Sequence, residues 1–214
     1  MPANAKICGL TTPEAVRAAL DGGATHVGFV FFPKSPRHVT PERAAELAAP
    51  ARGRARVVAV TVDATEAELA SIAAVLHPDL IQLHGHETLD RAGEVRALTG
   101  AGVIKAVSVA GPEDLVEAEA WDGVADHLMF DAKTPKGADL PGGMGLSFDW
   151  PMLAGRSFAA PWFLAGGLHP GNVEEAVAAS GAVLVDVSSG VESAPGLKDP
   201  ALIQAFLKAV ERAG

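Results

Sequence analysis

The feature that most constrains this chain is a regular alternation of short apolar segments with alanine-rich helical segments, repeated eight times along 214 residues. Such alternation predicts a parallel sheet with helical crossovers. The last two apolar segments end in Gly166-Gly167 and Ser188-Ser189-Gly190, whose free backbone N–H groups suit an anion. Two such turns closing eight units are typical of a phosphate-binding barrel. We therefore predict an α/β fold, a single-domain (β/α)8 TIM barrel over residues 1–214, in preference to an open doubly wound sheet.

The apolar and turn patterns place the individual elements. A brief helical segment is expected at 148–153, and the glycine- and proline-rich stretch 133–145 is expected to be a mobile loop over a site. Strands are predicted at 5–10, 26–31, 56–62, 80–84, 103–109, 127–132, 162–165 and 183–187. Helices are predicted at 13–20, from 40 onward, and at 65–76, 87–98, 112–120, 171–179 and 200–212.

Composition narrows the classes of partner. The formal net charge of −9 argues against nucleic acid or an anionic membrane as a partner. The single cysteine excludes an intrachain disulfide. The N-terminus has no apolar signal-peptide core, and no apolar run approaches the roughly 18 residues of a membrane span. We expect a soluble, cytoplasmic, monomeric protein that acts on a small molecule.

Cys8 stands at the predicted end of the first strand, one residue before Gly9. Lys6 lies on the same strand face, and helix N-termini point toward this end of a barrel, so both favour the thiolate. A thiolate here can act as a base or as a nucleophile. The alternative is that a lone cysteine among apolar residues is a small core side chain.

Asp131 ends the apolar run of the sixth strand, which places its carboxyl at the barrel rim. Partial burial there favours the protonated form that a general acid requires. The alternative is an aspartate that caps the following turn. Strands one and six lie across the mouth from each other, so Cys8 and Asp131 can flank a small substrate. Asp186, within a valine run, is either a reserve acid or a buried hydrogen-bonding group.

Arg37 lies in a loop that Pro33 and Pro36 stiffen. A guanidinium held in this way suits two-pronged recognition of a carboxylate. The alternative is a solvated surface arginine. Phe32 is either a wall for an aromatic ring or a core side chain.

Metal and nucleotide sites have weak support in the sequence. His84 and His86 are spaced to share a strand face, but Gly85 ends the strand and no further residues complete a familiar ligand pattern. No Walker-type glycine loop or dinucleotide fingerprint is found. We therefore expect no metal and no cofactor, and a reaction on a phosphorylated metabolite.

Six motifs together, in this order and over nearly the whole chain, resemble the phosphoribosylanthranilate isomerase family. Any one of them is weak, but six in register are highly specific. They are Lys6-Ile7-Cys8-Gly9-Leu10-Thr11, Gly28-Phe29-Val30-Phe31-Phe32 with Ser35-Pro36-Arg37, Gln82-Leu83-His84-Gly85, Phe130-Asp131-Ala132-Lys133, Leu164-Ala165-Gly166-Gly167-Leu168 and Asp186-Val187-Ser188-Ser189-Gly190-Val191-Glu192.

The resemblance implies a (β/α)8 barrel of tryptophan biosynthesis that performs an Amadori rearrangement, an aldose to ketose isomerisation of an aminosugar phosphate. It implies that Asp131 protonates the furanose ring oxygen, that Cys8 as thiolate removes the proton from C2, and that Arg37 binds the anthranilate carboxylate. Gln82 and His84 are expected to line the pocket, without an assigned proton. The phosphate would be bound by backbone N–H groups around Gly166, Gly167, Ser188, Ser189 and Gly190.

Two alternatives stay open on the sequence. A related phosphate-binding barrel, such as an aminosugar isomerase of histidine synthesis, would be expected to carry an acid where Cys8 stands. A non-catalytic protein that binds a phosphorylated metabolite would keep the phosphate turns but would not need Cys8 and Asp131 together. Turnover of any kind would exclude the second alternative.

Overall fold

The fold was obtained as a computed structural model, which describes residues 3–134, 142–143 and 145–213. The strands are β1 Asn4–Cys8, β2 His26–Phe31, β3 Arg56–Thr61, β4 Leu80–Leu83, β5 Gly102–Val109, β6 His127–Ala132, β7 Trp162–Leu164, β8 Leu184–Val187, β9 Glu192–Ala194 and β10 Leu197–Lys198. The helices are α1 Pro13–Asp21, α2 Pro41–Ala48, α3 Glu66–Leu76, α4 Leu89–Thr99, α5 Leu115–Trp121, α6 Val173–Ser180 and α7 Pro200–Arg212.

The strands β1 to β8 close into a parallel barrel in sequence order, and β8 pairs with β1. This confirms the predicted (β/α)8 architecture. The closing register sets Lys6 opposite Asp186, and on its other side β1 sets Cys8 opposite Gly28. All these strands are parallel, so their carboxyl ends form one mouth, where active sites of such barrels lie.

The helices begin where the sequence supplies caps. The side chains of Thr12, Thr40, Thr65 and Thr88 each accept a hydrogen bond from the first turn of α1, α2, α3 and α4. Each such cap satisfies a backbone donor that the helix itself leaves unpaired. α3 ends at Leu76, and the next residue, His77, adopts the left-handed conformation just before Pro78.

Apolar side chains fill two regions of the barrel. One lies between the strands and the helices, and the other fills the barrel interior with side chains such as Val58, Ile104, Met129 and Phe163. Cys8 belongs to the interior group and lies at its upper edge. The interior is thus packed below Cys8, and ligands can enter only at the mouth.

The structure differs from the sequence prediction mainly after β8. The strands β9 and β10 form a small antiparallel hairpin that the sequence analysis did not predict. The segments at 112–114 and 150–153 are short 3₁₀ turns, and the first of them leads into α5. Most of the predicted loop at 133–145 lies outside the described residues. No helix in the described ranges is long and apolar enough to cross a membrane.

Candidate active site

A cavity opens at the carboxyl ends of the strands. It brings together nine of the predicted site residues, and Phe32 and Ser35 also line it. The nine are Cys8, Arg37, Gln82, His84, Asp131, Gly166, Asp186, Ser188 and Ser189. Gly167 and Gly190 line an adjoining cleft that shares Arg37 and Ser189 with the cavity. Lys6 lies beneath the cavity, fully buried.

Cys8 lies on the floor of the cavity next to a buried ion pair. Nζ of Lys6 donates a hydrogen bond to Oδ1 of Asp186 at 2.7 Å. Gly28 makes room for this arrangement, because a Cβ there would lie 3.2 Å from both Sγ of Cys8 and Nζ of Lys6. The alternative in which Asp186 is a buried hydrogen-bonding group therefore matches its position.

Burial raises the pKa of the Cys8 thiol, and this effect outweighs the positive charge of Lys6, which acts in the opposite direction. The sequence reveals the groups that favour the thiolate, but it does not reveal how far the sulfur is removed from water. Since burial raises the pKa above its ordinary value of 9.0, the thiol is the resting form at neutral pH. Burial would lower the pKa of Lys6, but its pairing with Asp186 raises the value to about 12. Lys6 is therefore a fixed positive charge beside the thiol.

Asp131 reaches the cavity from the end of β6, next to His84. Its Oδ1 accepts a hydrogen bond from the backbone N–H of Ala132 at 2.9 Å. Its Oδ2 lies 3.3 Å from Nε2 of His84, although the two atoms are not aligned as a hydrogen bond and Nε2 has no other partner among the described residues. Nε2 of Gln82 lies 2.9 Å from Nδ1 of His84 and orients the ring.

The backbone of Gly142 lies directly over this pair of side chains. A Cβ at Gly142 would come within 2.5 Å of Oδ2 of Asp131 and 2.8 Å of Nε2 of His84. Only glycine allows such a close approach. Gly143, the next residue, accepts a hydrogen bond from Nη2 of Arg37 at 3.2 Å. The described part of the 133–145 stretch thus covers the polar side of the cavity.

Arg37 is buried, with 6% of its surface exposed, so it is not a solvated surface arginine. Its Nε and Nη2 donate to the two carboxylate oxygens of Glu192 at 2.7 and 2.9 Å. The expected two-pronged contact with a carboxylate therefore exists, but one such contact is internal to the protein. Among the described residues, none accepts a hydrogen bond from Nη1. The side chain also packs on Gly9, where a Cβ would lie 2.6 Å from Cδ of Arg37.

The β9–β10 hairpin supplies two residues that the sequence analysis did not assign to the site. Nζ of Lys198 donates to Oε1 of Glu192 at 2.6 Å and to the backbone oxygen of Ser188 at 2.9 Å. Burial lowers the pKa of Lys198. Burial would raise the pKa of Glu192, but its hydrogen bonds from Arg37 and Lys198 bring it below the usual range. The only available signal for Glu192 was its place at the end of the last quoted motif.

The two predicted phosphate turns lie side by side after β7 and β8. Gly166 and Gly167 have φ values of +81° and +67°, which favour glycine, and Nδ2 of Asn172 donates to the Gly167 oxygen at 2.9 Å. A Cβ at Gly190 would overlap the backbone oxygen of Leu168. No described residue accepts a hydrogen bond from the N–H groups of Gly166, Gly167, Ser189 or Gly190. Backbone N–H groups in turns of this kind suit an anion.

The two histidines considered as a metal pair lie in different surroundings. His84 faces Asp131 in the cavity, whereas the side chain of His86 is 98% exposed and contacts Asp63. Gly85 separates them, since it leaves the strand and packs on Asp63. Over the described part of the chain, no group of three or more His, Cys, Asp or Glu side chains is arranged to hold a metal.

Comparison with known proteins places this geometry in a family. A family model for N-(5'-phosphoribosyl)anthranilate isomerase matches residues 5–209. The chain belongs to the N-(5'-phosphoribosyl)anthranilate isomerase family. A relative of that name from Caulobacter vibrioides is 61% identical over 210 residues, which is 98% of this chain and 96% of the relative.

Solved structures of phosphoribosylanthranilate isomerases have the same fold. The crystal structure of the enzyme from Thermotoga maritima matches with a TM-score of 0.88 and 33% identity, over 98% of this chain and 99% of the other. A second crystal structure holds reduced 1-(o-carboxyphenylamino)-1-deoxyribulose 5-phosphate and matches with a TM-score of 0.82 and 29% identity, over 98% and 99% of the two chains. The resemblance noted in the six sequence motifs is therefore confirmed.

Proposed function

We propose that this chain isomerises N-(5'-phosphoribosyl)anthranilate to 1-(2-carboxyphenylamino)-1-deoxyribulose 5-phosphate, in tryptophan biosynthesis, by general acid–base catalysis. The observation that carries the proposal is one cavity lined by Cys8, Asp131 and Arg37 and bordered by the two glycine turns, in a chain of this isomerase family. An acid and a base on one substrate are what an aldose to ketose rearrangement requires.

Asp131 is the proposed general acid. Its carboxyl protonates the furanose ring oxygen as the bond from that oxygen to C1 breaks, which leaves a protonated Schiff base between C1 and the anthranilate nitrogen. Oδ1 is held by the Ala132 N–H, so Oδ2 is the oxygen that remains to deliver the proton. Nε2 of His84 lies 3.3 Å from that oxygen, within the same cavity.

Cys8 is the proposed base. As thiolate it takes the proton from C2, the electrons of the C2–H bond move toward the Schiff base, and the resulting enolamine tautomerises to the ketone. Because burial raises the pKa of Cys8, its thiolate is a minor form but a strong base once formed. The adjacent Lys6 ammonium offsets part of the cost of that negative charge.

The remaining groups bind the two anionic ends of the substrate. Nη1 of Arg37 is proposed to bind the anthranilate carboxylate, since Glu192 already occupies its Nε and Nη2 edge. The N–H groups around Gly166, Gly167, Ser188, Ser189 and Gly190 are proposed to bind the phosphate. Gln82 orients His84 from the side away from Asp131. A protein with net charge −9 binds a substrate with two anionic groups through such local groups.

The fluorescence of the anthranilate group tests the proposal. Purified protein is added to N-(5'-phosphoribosyl)anthranilate generated in situ, and the decay of fluorescence is compared with a no-enzyme control. We expect rapid loss of the signal, and growth without tryptophan when the gene is expressed in a bacterium lacking this isomerase. A folded sample that causes no loss contradicts the proposal and supports a binding protein.

We also propose a cytoplasmic location and a monomeric state. The ligand is proposed to be a small phosphorylated aminosugar. Gel filtration combined with light scattering over a range of protein concentrations measures the oligomeric state. A mass of twice the monomer mass at all concentrations contradicts the monomeric state.

A further inference from the structure

The ion pair of Lys6 and Asp186 is unusual because it lies inside the barrel, below the ligand cavity. Lys6 is fully buried, and its Nζ lies 2.7 Å from Oδ1 of Asp186, whose side chain is 9% exposed. A buried ion pair is weak support for stability, and apolar side chains of similar volume are often equally good or better. The position of this pair therefore calls for an explanation other than stability.

The pair is built against the thiol of Cys8. Lys6 and Cys8 project from the same face of β1, and the register places Lys6 opposite Asp186 and Cys8 opposite Gly28. Since a Cβ at Gly28 would lie 3.2 Å from both Sγ and Nζ, the missing side chain leaves the space that the thiol and the ammonium both border. Any larger residue at this position would push the two groups from their places.

Other charged groups face Cys8 from the neighbouring elements. Lys198, on β10, lowers the pKa of the thiol less than Lys6 does, and Asp186 raises it. Arg37, from the loop after β2, is bound to Glu192, while Asp131, from β6, lines the cavity beside His84. Among the charged groups around Cys8, Lys6 therefore lowers the pKa of the thiol most and Asp186 raises it most.

We propose that Asp186 is a positioning residue for Cys8: it holds the Lys6 ammonium against the thiol and offsets part of its charge, so that the pair sets how readily Cys8 loses and regains a proton. The inference rests on the proposed role of Cys8 as the base. During turnover the sulfur alternates between thiolate and thiol. Without Asp186, the Lys6 ammonium would lower the pKa of Cys8 so far that its thiolate would be too weak a base. Without Lys6, the pKa would be so high that the thiolate would hardly ever form.

Substitutions of Lys6 and of Asp186 should therefore shift the pKa of the Cys8 thiol in opposite directions. Cys8 is the only cysteine, so alkylation by iodoacetamide at a series of pH values, without substrate, reports on it alone. We expect Asp186→Asn to lower the midpoint of this profile by about one pH unit, and Lys6→Met to raise it by about one unit. The ultraviolet absorbance of the thiolate, with Cys8→Ala as the blank, gives the same midpoint independently.

The matched control is a buried pair that does not line the cavity, Lys105 and Glu87, whose Nζ and Oε2 lie 3.0 Å apart. Lys105→Met should leave the midpoint unchanged. If either single variant fails to fold by circular dichroism, the double variant Lys6→Met/Asp186→Leu carries no unpaired buried charge, and its midpoint should lie above that of the wild type.

The inference would be overturned if the two single variants shifted the midpoint in the same direction or did not shift it. A double variant with the wild-type midpoint would also overturn it. Because the measurement needs no substrate, it is separate from turnover. Opposite shifts in a protein that shows no turnover would refute the proposed function while the charge relationship stood.

Discussion

Glu192 binds Arg37 through both carboxylate oxygens, at 2.7 Å to Nε and 2.9 Å to Nη2, although the two residues are 155 positions apart in the chain. Glu192 also accepts hydrogen bonds from Lys198 and from the backbone N–H of Gly196. Lys198 in turn donates to Ser188 in the second phosphate turn. One carboxylate therefore connects the proposed binding sites for the two ends of the substrate.

Glu192→Gln is expected to weaken substrate binding more than it slows the chemistry. A glutamine offers one acceptor oxygen in place of two and turns an N–H₂ group toward the donors of Arg37 or Lys198. Steady-state kinetics should show KM raised about tenfold, with a smaller change in kcat, since a lost charge-assisted contact costs on the order of 1.5–3 kcal/mol.

The control for this variant is Glu174→Gln. Glu174 also binds an arginine, Arg212, but on the surface, where its side chain is 49% exposed. Its kinetic constants should equal those of the wild type. An equal effect of the two variants on KM would show that Glu192 has no special relation to the substrate.

Gly166→Ala is expected to damage the first phosphate turn. The residue has φ +81°, and a Cβ would lie 2.7 Å from the backbone nitrogen of Ala132, so the turn must shift. KM should rise about tenfold or more, because one misplaced N–H in an anion site loses a charge-assisted hydrogen bond. Isothermal titration with inorganic phosphate measures the same loss without turnover.

Gly181→Ala provides the comparison. Gly181 has φ +76°, and an added Cβ would have no atom within 4 Å. It ends α6 away from the turn, so the substitution should lower stability by about 1 kcal/mol and leave KM unchanged. Identical phosphate binding in Gly166→Ala and the wild type would contradict the assignment of the turn.

His26 is expected to make the protein sensitive to acid. Burial, with a further contribution from Lys6, lowers the pKa of His26 from 6.5 to about 3. The unfolded chain therefore binds a proton between these pH values that the folded chain does not, so the free energy of unfolding falls as the pH drops below 6.5. The slope from this residue is about 1.4 kcal/mol per pH unit.

Urea unfolding at pH 7 and at pH 5 measures this loss of stability. His26→Leu should lose less stability toward pH 5 than the wild type, and at pH 5 its slope should be smaller by about 1.4 kcal/mol per pH unit. His86→Asn removes a histidine whose side chain is 98% exposed and should keep the wild-type slope. A His26→Leu slope equal to that of the wild type would mean that His26 titrates normally in the folded protein.

The barrel itself was predictable because its signal is local and repeated. Each strand is a short apolar run, each of four early helices begins at a capping threonine, and the bounds of β2, β6 and α7 match the prediction. The positions of Cys8, Asp131 and Arg37 in one cavity follow from the rule that strand ends share one mouth. The same strand and helix pattern occurs eight times, so each occurrence supports the prediction made from the others.

The contacts that tune the site were not predictable in the same way. Glu192 and Lys198 sit on strands of three and two residues, too short to show any periodicity. Their contact with Arg37 joins distant parts of the chain. The balance at Cys8 depends on how far the barrel excludes water from the sulfur, and no residue pattern reports that.

The central claim is that Cys8 and Asp131 act as base and acid on the same substrate. The most direct measurement follows anthranilate fluorescence under saturating enzyme for the wild type, Cys8→Ala and Asp131→Asn, with circular dichroism to confirm folding. We expect each variant to convert substrate at least about 10²-fold to 10⁴-fold more slowly than the wild type, the contribution of a general acid or base. A folded variant that converts substrate within about tenfold of the wild-type rate would contradict the role of its residue.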